Sequence, residues 1–422
     1  MSWDVVVVGA GAAGLLAAAR AAERGRRTLL VEKNRRPGIK ILMSGGTRCN
    51  LTQQTDRRGI VQAFGPQGTF LHSALAVLGP AELVALIEAE GVPTKVEETG
   101  KVFPVSDRAE DVLDALLRRL ERSGCQLALG EPVLDVCPTV DGFQLATAHR
   151  TLSAANVIVT TGGRSYPGCG TTGDGYRWLA DLGHTIVTPR PALTPLTTAA
   201  GWVTDLRGVT VTDVAVRVVA DHPAEAAGGP GGRGLISGGL AQRRGSLLFT
   251  HFGLSGPAAL DVSRVVSGDA APRRLRLECD FLPDLSEPQL DAQLRQQAAS
   301  GGRKQVGGVV ARWLPRRLVD ALLTQLGMSD ELRMAEMSRR DRQRLTTALK
   351  QTVIPLTGTR GFKKAEVTAG GVALDEVDSR TCRSKLVPSL FLAGEILDLD
   401  GPIGGYNFQA AFSTGWLAGS HA

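Results

Sequence analysis

A glycine-rich turn near the start of the chain has the residue types and spacing that bind a phosphate group. Residues 9–14 read Gly-Ala-Gly-Ala-Ala-Gly and fit the pattern G-x-G-x-x-G. In this pattern Gly9 permits a tight turn, Gly11 lets the backbone approach a pyrophosphate, and Gly14 lets the following helix pack on a strand. The helix N-terminus then faces the anion. The turn therefore predicts a dinucleotide site.

A carboxylate, Glu32, closes the second predicted strand, where it can accept hydrogen bonds from both hydroxyls of an adenosine ribose. Lys33, Arg35 and Arg36 surround it, but Glu32 would repel a 2′-phosphate. NADP is therefore disfavoured as the resident nucleotide, while NAD and FAD both stay open.

A glycine-rich loop over residues 44–50 carries hydroxyl, guanidinium and amide groups suited to a pyrophosphate and to the polar edge of a flavin. An ordinary polar turn has a similar composition. Towards the C-terminus, Glu395 follows Gly394 at the end of a buried strand and could bind ribityl hydroxyls. The segment Gly404-Gly405-Tyr406-Asn407 precedes an amphipathic helix, whose positive end would stabilise negative charge on a reduced flavin.

Two titratable residues, His251 and Tyr166, could pass a proton during hydride transfer, and each also fits a packing role. The six cysteines are scattered and include no CxxC pair, so we predict neither a metal site nor a disulfide framework. Cys49 and Cys169 lack the close spacing of dithiol flavoenzymes.

The elements around these residues follow from apolar patterns. A β-branched run, Asp4–Val8, predicts a strand buried on both faces. A helix over Leu15–Arg24 ends at Gly25, and Thr28–Val31 predicts a second strand, which completes a βαβ unit. Further buried strands are predicted at 157–160 and 390–393, alongside the first sheet.

The middle of the chain changes character. Alternating apolar residues reverse phase near Asp213, which predicts a β-bulge or a turn, and 275–281 alternate as a half-buried strand. From Ser286 to Thr352 helical signals dominate, including helix starts at Ser329 and at Ser338, which is followed by Asp341.

Composition bounds the class of protein. The chain has 422 residues, 43% of them hydrophobic, and a net charge of +6, which allow two or three packed domains. Its N-terminus lacks a signal-peptide pattern and no apolar run reaches membrane-spanning length, so we predict a cytoplasmic protein with no membrane partner. A second G-x-G-x-x-G match at 229–234 has no preceding strand, and we interpret it as a loop.

The choice of FAD rests on a family resemblance that covers essentially the whole length. The sequence resembles the bacterial aminoacetone oxidase family of FAD-binding enzymes, whose relatives include a reductase of bile-acid enones. The motifs that carry the resemblance are residues 9–14, 40–50, 161–167, 171–176, 249–257, 394–395 and 404–407. A long glycine-rich tract before Gly245 departs from the family pattern.

The resemblance implies an α/β fold: a discontinuous Rossmann-type FAD-binding domain (1–190 and 353–422) with a β-barrel-like insert (191–285) and a helical insert (286–352). It implies non-covalent FAD, with NAD(P)H at most a transient electron donor. The expected cofactor-binding residues are Gly9, Gly11, Ala12, Ala13, Gly14, Glu32, Lys33, Lys40, Ser44, Gly45, Thr47, Arg48, Asn50, Val133, Thr161, Gly162, Gly394, Glu395, Gly404, Gly405, Tyr406 and Asn407.

Three functional hypotheses follow. The first is an FAD-dependent oxidoreductase acting on a small organic substrate, either reducing an enone or oxidising an amine. The second is an FAD-dependent RNA-modifying enzyme, which the basic pI of about 9.1 favours. No RNA-binding module is recognisable and only 5% of residues are aromatic, so we expect no nucleic-acid partner. The third is a flavin-binding sensor without turnover. The sequence leaves the oligomeric state open.

Overall fold

The computed structural model describes residues 2–220 and 240–422, so the interpretation of residues 229–234 as a loop lies outside the described residues. The chain divides into two compact units. Unit 1 comprises Met1–Pro191 and Glu366–Ala422, and unit 2 comprises Ala192–Ala365. Residues 353–365, expected in the FAD-binding domain, therefore belong to unit 2.

Strands and helices alternate along much of the chain. The strands are β1 (Trp3–Val8), β2 (Thr28–Glu32), β3 (Thr52–Gln53), β4 (Thr94–Val96), β5 (Lys101–Pro104), β6 (Gln126–Leu129), β7 (Val133–Thr139), β8 (Gly142–Thr147), β9 (Thr151–Val159), β10 (Ile186–Ala192), β11 (Leu196–Thr197), β12 (Thr210–Ala220), β13 (Ala241–Thr250), β14 (Gly253–Ser255), β15 (Leu275–Asp280), β16 (Thr352–Pro355), β17 (Gly358–Thr359), β18 (Val367–Val372), β19 (Val377–Asp378), β20 (Arg383–Ser384) and β21 (Leu390–Leu392). The α-helices are α1 (Ala12–Glu23), α2 (Ile39–Thr47), α3 (Arg57–Ala63), α4 (His72–Val77), α5 (Pro80–Ala89), α6 (Ala109–Arg122), α7 (Asp174–Asp181), α8 (Gly201–Asp205), α9 (Pro257–Gly268), α10 (Glu287–Gly301), α11 (Val306–Val310), α12 (Arg316–Gln325), α13 (Arg339–Lys350) and α14 (Tyr406–His421).

Unit 1 is built on a sheet with the strand order β19, β20, β21, β9, β1, β2 and β6. The central pairs β9–β1, β1–β2, β2–β6 and β9–β21 are parallel, while the hairpin β7–β8 joins β9 antiparallel. Residues 5–8 of β1 are all buried, as expected for a parallel strand covered on both faces. Unit 1 thus has the mixed α/β sheet of a Rossmann-type FAD-binding domain, which confirms the predicted fold class.

Two helices of unit 1 approach each other backbone to backbone. A Cβ atom at Gly415 would lie 2.2 Å from the carbonyl oxygen of Ala13, and one at Gly419 would lie 2.2 Å from that of Ala17. Any side chain at either glycine would therefore separate α14 from α1. Gly415 lies against Ala13 and Gly419 against Ala17, so the two helices run in the same direction. This close packing fixes the position of the start of α14 relative to the start of α1.

Unit 2 contains an antiparallel sheet with the strand order β16, β15, β12, β13, β14, β11 and β17. The register between β12 and β13 shifts between Val211 and Val214, which confirms the predicted bulge. β16 pairs with β15, and this pairing is why residues after 352 stay with unit 2.

The strands and helices of unit 2 share one apolar core. Phe249 and Leu277 from the sheet belong to the same buried cluster as Leu322 and Leu345 from the helices. The β-rich and helical segments, which we expected as separate inserts, therefore form one compact body. We predicted separate inserts because the apolar periodicity changes near residue 286. Periodicity shows whether a segment is a strand or a helix, but it does not show which segments pack into the same core.

The helix starts of unit 2 were predicted with mixed success. The Ser338 hydroxyl accepts the N–H of Asp341 at 3.0 Å and caps α13 as expected. The start predicted at Ser329 is wrong, because the chain forms turns at Asp330–Glu331. There the carbonyl of Leu332 accepts the N–H of Val306, and this long-range contact overrides the local helical signal.

Within residues 2–220 and 240–422, no single helix is both long and apolar enough to cross a membrane. One pair bent by 42°, Gly65–Val77 with Pro80–Ala89, meets the criteria of length and composition only. Over the same ranges, no group of three or more His, Cys, Asp or Glu side chains is placed to hold a metal ion.

Candidate cofactor site

The glycine turn after β1 contains glycines of two kinds. A Cβ at Gly9, whose φ is +105°, would lie 2.8 Å from the carbonyl oxygen of Thr160, and one at Gly14 would lie 1.8 Å from that of Gly9. Close packing against neighbouring backbone atoms therefore explains why Gly9 and Gly14 are glycines. Gly11 has an ordinary extended backbone, and a Cβ there would meet nothing within 4 Å in the described chain. The open space at Gly11 is large enough for a ligand to lie against the backbone, so its predicted contact with a pyrophosphate stays a prediction.

The N-terminus of α1 opens directly onto this turn. Gly11 is its N-cap residue and no side chain caps it, so Ala12 and Ala13 begin the helix with first-turn N–H groups that a ligand can use. Gly394 lies beside this turn, because a Cβ there would come within 2.8 Å of the Ala13 Cβ. The end of β21 and the start of α1 thus meet at one place.

Glu32 is buried and ties the turn to the end of β2. Its Oε2 accepts the N–H of Ala10 at 2.8 Å, and its Oε1 accepts the N–H of Asn34 at 2.9 Å. The sequence predicted a ribose contact and missed this structural role. Each carboxylate oxygen has a second lone pair, so the two roles are compatible.

The residues around Glu32 belong to the same edge of the sheet. The N–H of Glu131 bonds the Glu32 carbonyl oxygen at 2.9 Å, which brings the start of β7, and with it buried Val133, to this edge. Lys33 Nζ contacts Thr172 Oγ1 and Asp174 Oδ2, both at 2.6 Å. Burial is the largest single influence and acts to raise the pKa of Asp174, but the hydrogen bonds from Lys33 and Thr172 and the positive charges nearby together hold that pKa below its usual value.

A polar network joins Lys40 to the end of β21. Lys40 Nζ lies 2.5 Å from Glu395 Oε2 and 2.6 Å from the hydroxyl of Ser165, which is fully buried. Ser165 donates to Glu395 Oε1 at 2.7 Å, and the same oxygen accepts the N–H of Thr368 at 2.8 Å. An ammonium has three N–H donors, and these two contacts leave one for a ligand.

Three residues of this network, Ser165, Thr368 and Tyr176, were not among the predicted site residues. The Thr368 hydroxyl accepts the N–H groups of Arg164 and Ser165, at 2.8 and 3.0 Å. The Tyr176 hydroxyl donates to the Glu395 carbonyl at 3.4 Å, and burial raises the pKa of that phenol. The signal that could have found Thr368 is its hydroxyl within the otherwise apolar strand β18.

Residues 44–50, predicted as a glycine-rich loop, form a sharp turn that continues from the end of α2. Helix α2 is interrupted at Ser44–Gly46, and Gly45 has a φ of +56°. Thr47 and Cys49 also have positive φ, a strained conformation that concentrates at functional sites. The Ser44 hydroxyl donates to the Ile41 carbonyl and that of Thr47 to Gly46, so both hydroxyls serve the turn itself.

Arg48 is held by the protein rather than left free for a ligand. Its Nη1 lies 2.6 Å from Glu97 and 3.4 Å from Asp107, and its guanidinium stacks 4.0 Å from the Phe103 ring centroid. The hydrogen bond to Glu97 raises the pKa of Arg48. The direct flavin contact expected for Arg48 stays a prediction.

The start of α14 is shaped by two glycines with positive φ, Gly404 and Gly405. A Cβ at Gly405 would lie 2.6 Å from the Thr52 carbonyl oxygen, so this turn lies against the segment that follows Asn50. Tyr406 begins the helix, and no side chain caps its N-terminus. Asn407 accepts the N–H of Gly401 at 2.8 Å and donates to its carbonyl at 3.0 Å, which shapes the approach to the helix.

The two candidate proton donors lie in different units. Tyr166, in unit 1, is half-buried and has a left-handed backbone (φ 53°, ψ 63°), and its carbonyl accepts the N–H of Cys169 at 2.8 Å. His251, in unit 2, is exposed in the turn between β13 and β14, with its ring 4.9 Å from that of Phe252.

The cysteines near the glycine-rich turns are free thiols. Cys49 is fully buried, and burial raises its pKa to about 12, which leaves it protonated and a poor nucleophile. The Cys169 Sγ lies 3.1 Å from the sulfur of Met43.

Two further features of unit 1 fit a bound flavin nucleotide: buried polar atoms without a partner, and the turn that follows β9. Within the described residues, four side-chain atoms are buried without a hydrogen-bond partner, and two of them are Asn50 Oδ1 and Thr161 Oγ1. Such orphaned atoms are costly unless a ligand satisfies them. Thr161 precedes Gly162, whose φ of +71° turns the chain after β9. Asn50 and Thr161 are residues that we predicted to bind the cofactor, whereas the other two atoms, Arg119 Nε and Thr346 Oγ1, belong to residues that we did not.

Comparison with known proteins decides the family. Residues 3–421 match the family model described as HI0933-like protein Rossmann domain. This chain is a member of the HI0933-like family. It is 33% identical to the ribosomal RNA dihydrouridine synthase of Escherichia coli K12, over 98% of this chain and 96% of the relative. It is 29% identical to the 3-dehydro-bile acid delta(4,6)-reductase of Clostridium scindens, over 99% of this chain and 98% of that relative.

The fold of this HI0933-like protein is also found in solved flavoenzymes. The 3-ketosteroid-delta4-(5alpha)-dehydrogenase of Rhodococcus jostii superposes with a TM-score of 0.52 at 14% identity, over 99% of this chain and 97% of that chain. Its membership of the family, and not this likeness of fold, makes the HI0933-like protein a flavin-dependent oxidoreductase with an FAD-binding Rossmann domain, as predicted. The narrower resemblance to the aminoacetone oxidase family stays a prediction.

Proposed function

We propose that this protein reduces a carbon–carbon double bond conjugated to a carbonyl group, and that its substrate is a uracil base in ribosomal RNA. The observation that carries the proposal is the 33% identity, over nearly the whole chain, to a relative named ribosomal RNA dihydrouridine synthase. The proposal replaces our expectation that nucleic acid is not a partner. The net charge of +6 supports it, because RNA is a polyanion.

The two relatives share one type of chemistry. Forming dihydrouridine saturates a double bond conjugated to the C4 carbonyl of uracil, and a delta(4,6)-reductase acts on double bonds conjugated to a steroid ketone. In both reactions hydride adds to a carbon at the far end of the conjugated system and a proton adds to another carbon. Bound FAD, once reduced by the electron donor, would supply the hydride. The protein must bind the substrate, exclude water and supply the proton.

Residues of unit 1 are suited to holding the cofactor. The uncapped starts of α1 and α14 offer N–H groups and positive dipole ends to anionic groups. Asn50, Thr161 and the remaining N–H of Lys40 offer further polar contacts. Glu395 fixes the Lys40 ammonium in position, so little reorganisation is needed when a ligand binds.

Tyr166 and His251 are the proposed sources of the proton. The left-handed backbone at Tyr166 supports this residue as the donor. Backbone strain in a non-glycine residue is kept where the side chain must point in one direction. Replacing the acid that donates to carbon should leave flavin reduction unchanged and slow product formation by about 100-fold or more. Tyr166→Phe and His251→Asn separate the two candidates, since each keeps a similar shape.

NAD(P)H is proposed as a transient donor that uses the substrate cavity and leaves before substrate enters. This sequence of events implies ping-pong kinetics. Varying donor and acceptor together should give parallel double-reciprocal lines, and intersecting lines would show that donor and acceptor are bound at the same time.

The function is tested by incubating the FAD-loaded protein and NADPH with unmodified ribosomal RNA made by transcription. Nuclease digestion and mass spectrometry should show a uridine that has gained two hydrogens. Parallel reactions with a steroid enone and with a primary amine test the alternative substrates. Turnover of the enone or the amine, with no hydrogen gained by the RNA, would contradict the RNA proposal.

A further inference from the structure

Two segments of unit 2 that are far apart in sequence meet at one edge of its sheet. β11 pairs with β14 on one side, through Leu196 and Leu254, and with β17 on the other, through Leu196 and Thr359. This topology brings the turn that holds His251 and Phe252 beside the segment that follows β17.

The side chains confirm that these two segments are in contact. The Arg360 guanidinium carbon lies 4.5 Å from the centroid of the Phe252 ring, a cation–π arrangement, and the N–H of Arg360 bonds the Pro195 carbonyl at 3.0 Å. The other ring neighbour of Phe252 is His251, which meets it edge-on at an interplanar angle of 77°. The backbone and the aromatic ring therefore hold Arg360 in place.

Positive charge accumulates at this edge. Arg360, Lys363 and Lys364 are all exposed and occur within one short stretch, where Phe362–Lys364 form a 3₁₀ turn. Over the described ranges none of the three cations has a carboxylate partner, whereas many other arginines in unit 2 do, such as Arg217 with Glu278 and Arg316 with Asp320. Unpaired like charges repel one another and are stabilised by a bound anion.

We propose that this edge of unit 2, formed by Phe252, Arg360, Lys363 and Lys364, binds the phosphate backbone of the RNA substrate. Lysine and arginine side chains contact phosphates, and a half-buried aromatic ring with an arginine over it offers a surface on which a base can stack. This inference rests on the proposed RNA substrate and adds a binding site to it. The site supplies affinity for the RNA.

The test compares the holoenzyme with Lys363→Gln/Lys364→Gln in binding a fluorescent single-stranded RNA that contains uridines. We expect the affinity to fall at least about tenfold, and the slope of log affinity against log salt to become shallower by about 1.4, which is the loss of two phosphate contacts on a single strand. Reduction of the flavin by NADPH should be unchanged. Arg316→Gln, which removes an exposed arginine that is paired with Asp320, is the matched control and should bind RNA like the wild type.

The outcomes separate this proposal from the proposed function. Dihydrouridine formed equally well by wild type and double variant, with equal RNA affinity and salt slope, would overturn the binding site and leave the function standing. RNA affinity lost in the double variant, while the wild type makes no dihydrouridine, would support the site and contradict the function. Loss of binding to anionic phospholipid vesicles with RNA affinity unchanged would assign the edge to a membrane surface and overturn the proposal.

Discussion

The ammonium of Lys40 and the carboxylate of Glu395 form an ion pair at 2.5 Å, although the two residues are 355 positions apart in the chain. The pair joins the start of α2 to the end of β21, and Ser165 and Thr368 complete its hydrogen bonds. The two halves of discontinuous unit 1 are thereby connected at the proposed cofactor site.

Lys40→Met should lower both the free energy of unfolding and the affinity for FAD, because Glu395 would keep its charge in a largely buried position without its cation. We expect a loss of about 1.5–3 kcal/mol in denaturant unfolding. Lys33→Met is the matched control, since its pair with Asp174 is more exposed and should cost less than about 1 kcal/mol. Equal costs for the two variants would contradict the special role of Lys40.

Gly11→Ala and Gly14→Ala should behave in opposite ways. A methyl group at Gly11 meets no protein atom within 4 Å, so the apoprotein should keep its stability to within about 0.5 kcal/mol. FAD affinity should fall at least about tenfold, because the methyl group would occupy the proposed ligand space.

A methyl group at Gly14 would lie 1.8 Å from the Gly9 carbonyl oxygen, so that variant should lose about 1–3 kcal/mol or more even without FAD. Thermal unfolding of the apoproteins and FAD titration distinguish the two effects. Unchanged FAD affinity in Gly11→Ala would remove the turn from the cofactor site.

Glu32→Ala should weaken FAD binding and also destabilise the apoprotein. From the sequence we expected an effect mainly on binding, but the carboxylate also accepts the N–H groups of Ala10 and Asn34. Leaving a buried N–H unsatisfied costs about 1–3 kcal/mol. Glu32→Gln keeps one acceptor oxygen and should fall between alanine and wild type in both measurements. An apoprotein of full stability in Glu32→Ala would show that water replaces the carboxylate.

Much of unit 1 could be predicted because its signals are local. The apolar run before Gly9, the glycine spacing and Gly25 with positive φ each depend on a few adjacent residues. The role of Glu32 toward the turn, and Ser165 and Thr368 as partners of Glu395, could not be predicted, because hydrogen bonds between distant segments leave no periodic pattern. The same holds for unit 2, where pairing at residues 305–306 and 332–333 replaced the helix start expected at Ser329.

Glu90 should make the stability of unit 1 depend on pH. Its carboxylate is almost fully buried and accepts two hydrogen bonds from Arg122, at 2.6 and 2.8 Å, which hold the pKa of Glu90 below its usual value near 4.3. A depressed pKa in the folded state stabilises the protein above the unfolded-state pKa, and this contribution is lost as pH falls through the lower, folded value.

Glu90→Gln should therefore cost about 1.5–3 kcal/mol at pH 7, and the difference from wild type should shrink steadily below about pH 4. Unfolding free energies of both proteins across this range provide the measurement. Glu110→Gln is the control, because its bonds to Arg36 and Arg108 are exposed and its replacement should have little effect at any pH. A difference for Glu90→Gln that stays constant down to pH 2 would contradict the assignment.

One anaerobic single-turnover experiment tests directly whether this FAD enzyme transfers hydride to uracil in RNA, as proposed. The flavin of the holoprotein is reduced with light, excess donor is absent, and uridine-containing ribosomal RNA is added. We expect the absorbance of oxidised flavin to return when RNA is present, and one dihydrouridine to form for each reduced FAD that is oxidised. A flavin that stays reduced with RNA and is reoxidised by a steroid enone, or one that reoxidises without forming dihydrouridine, would contradict it.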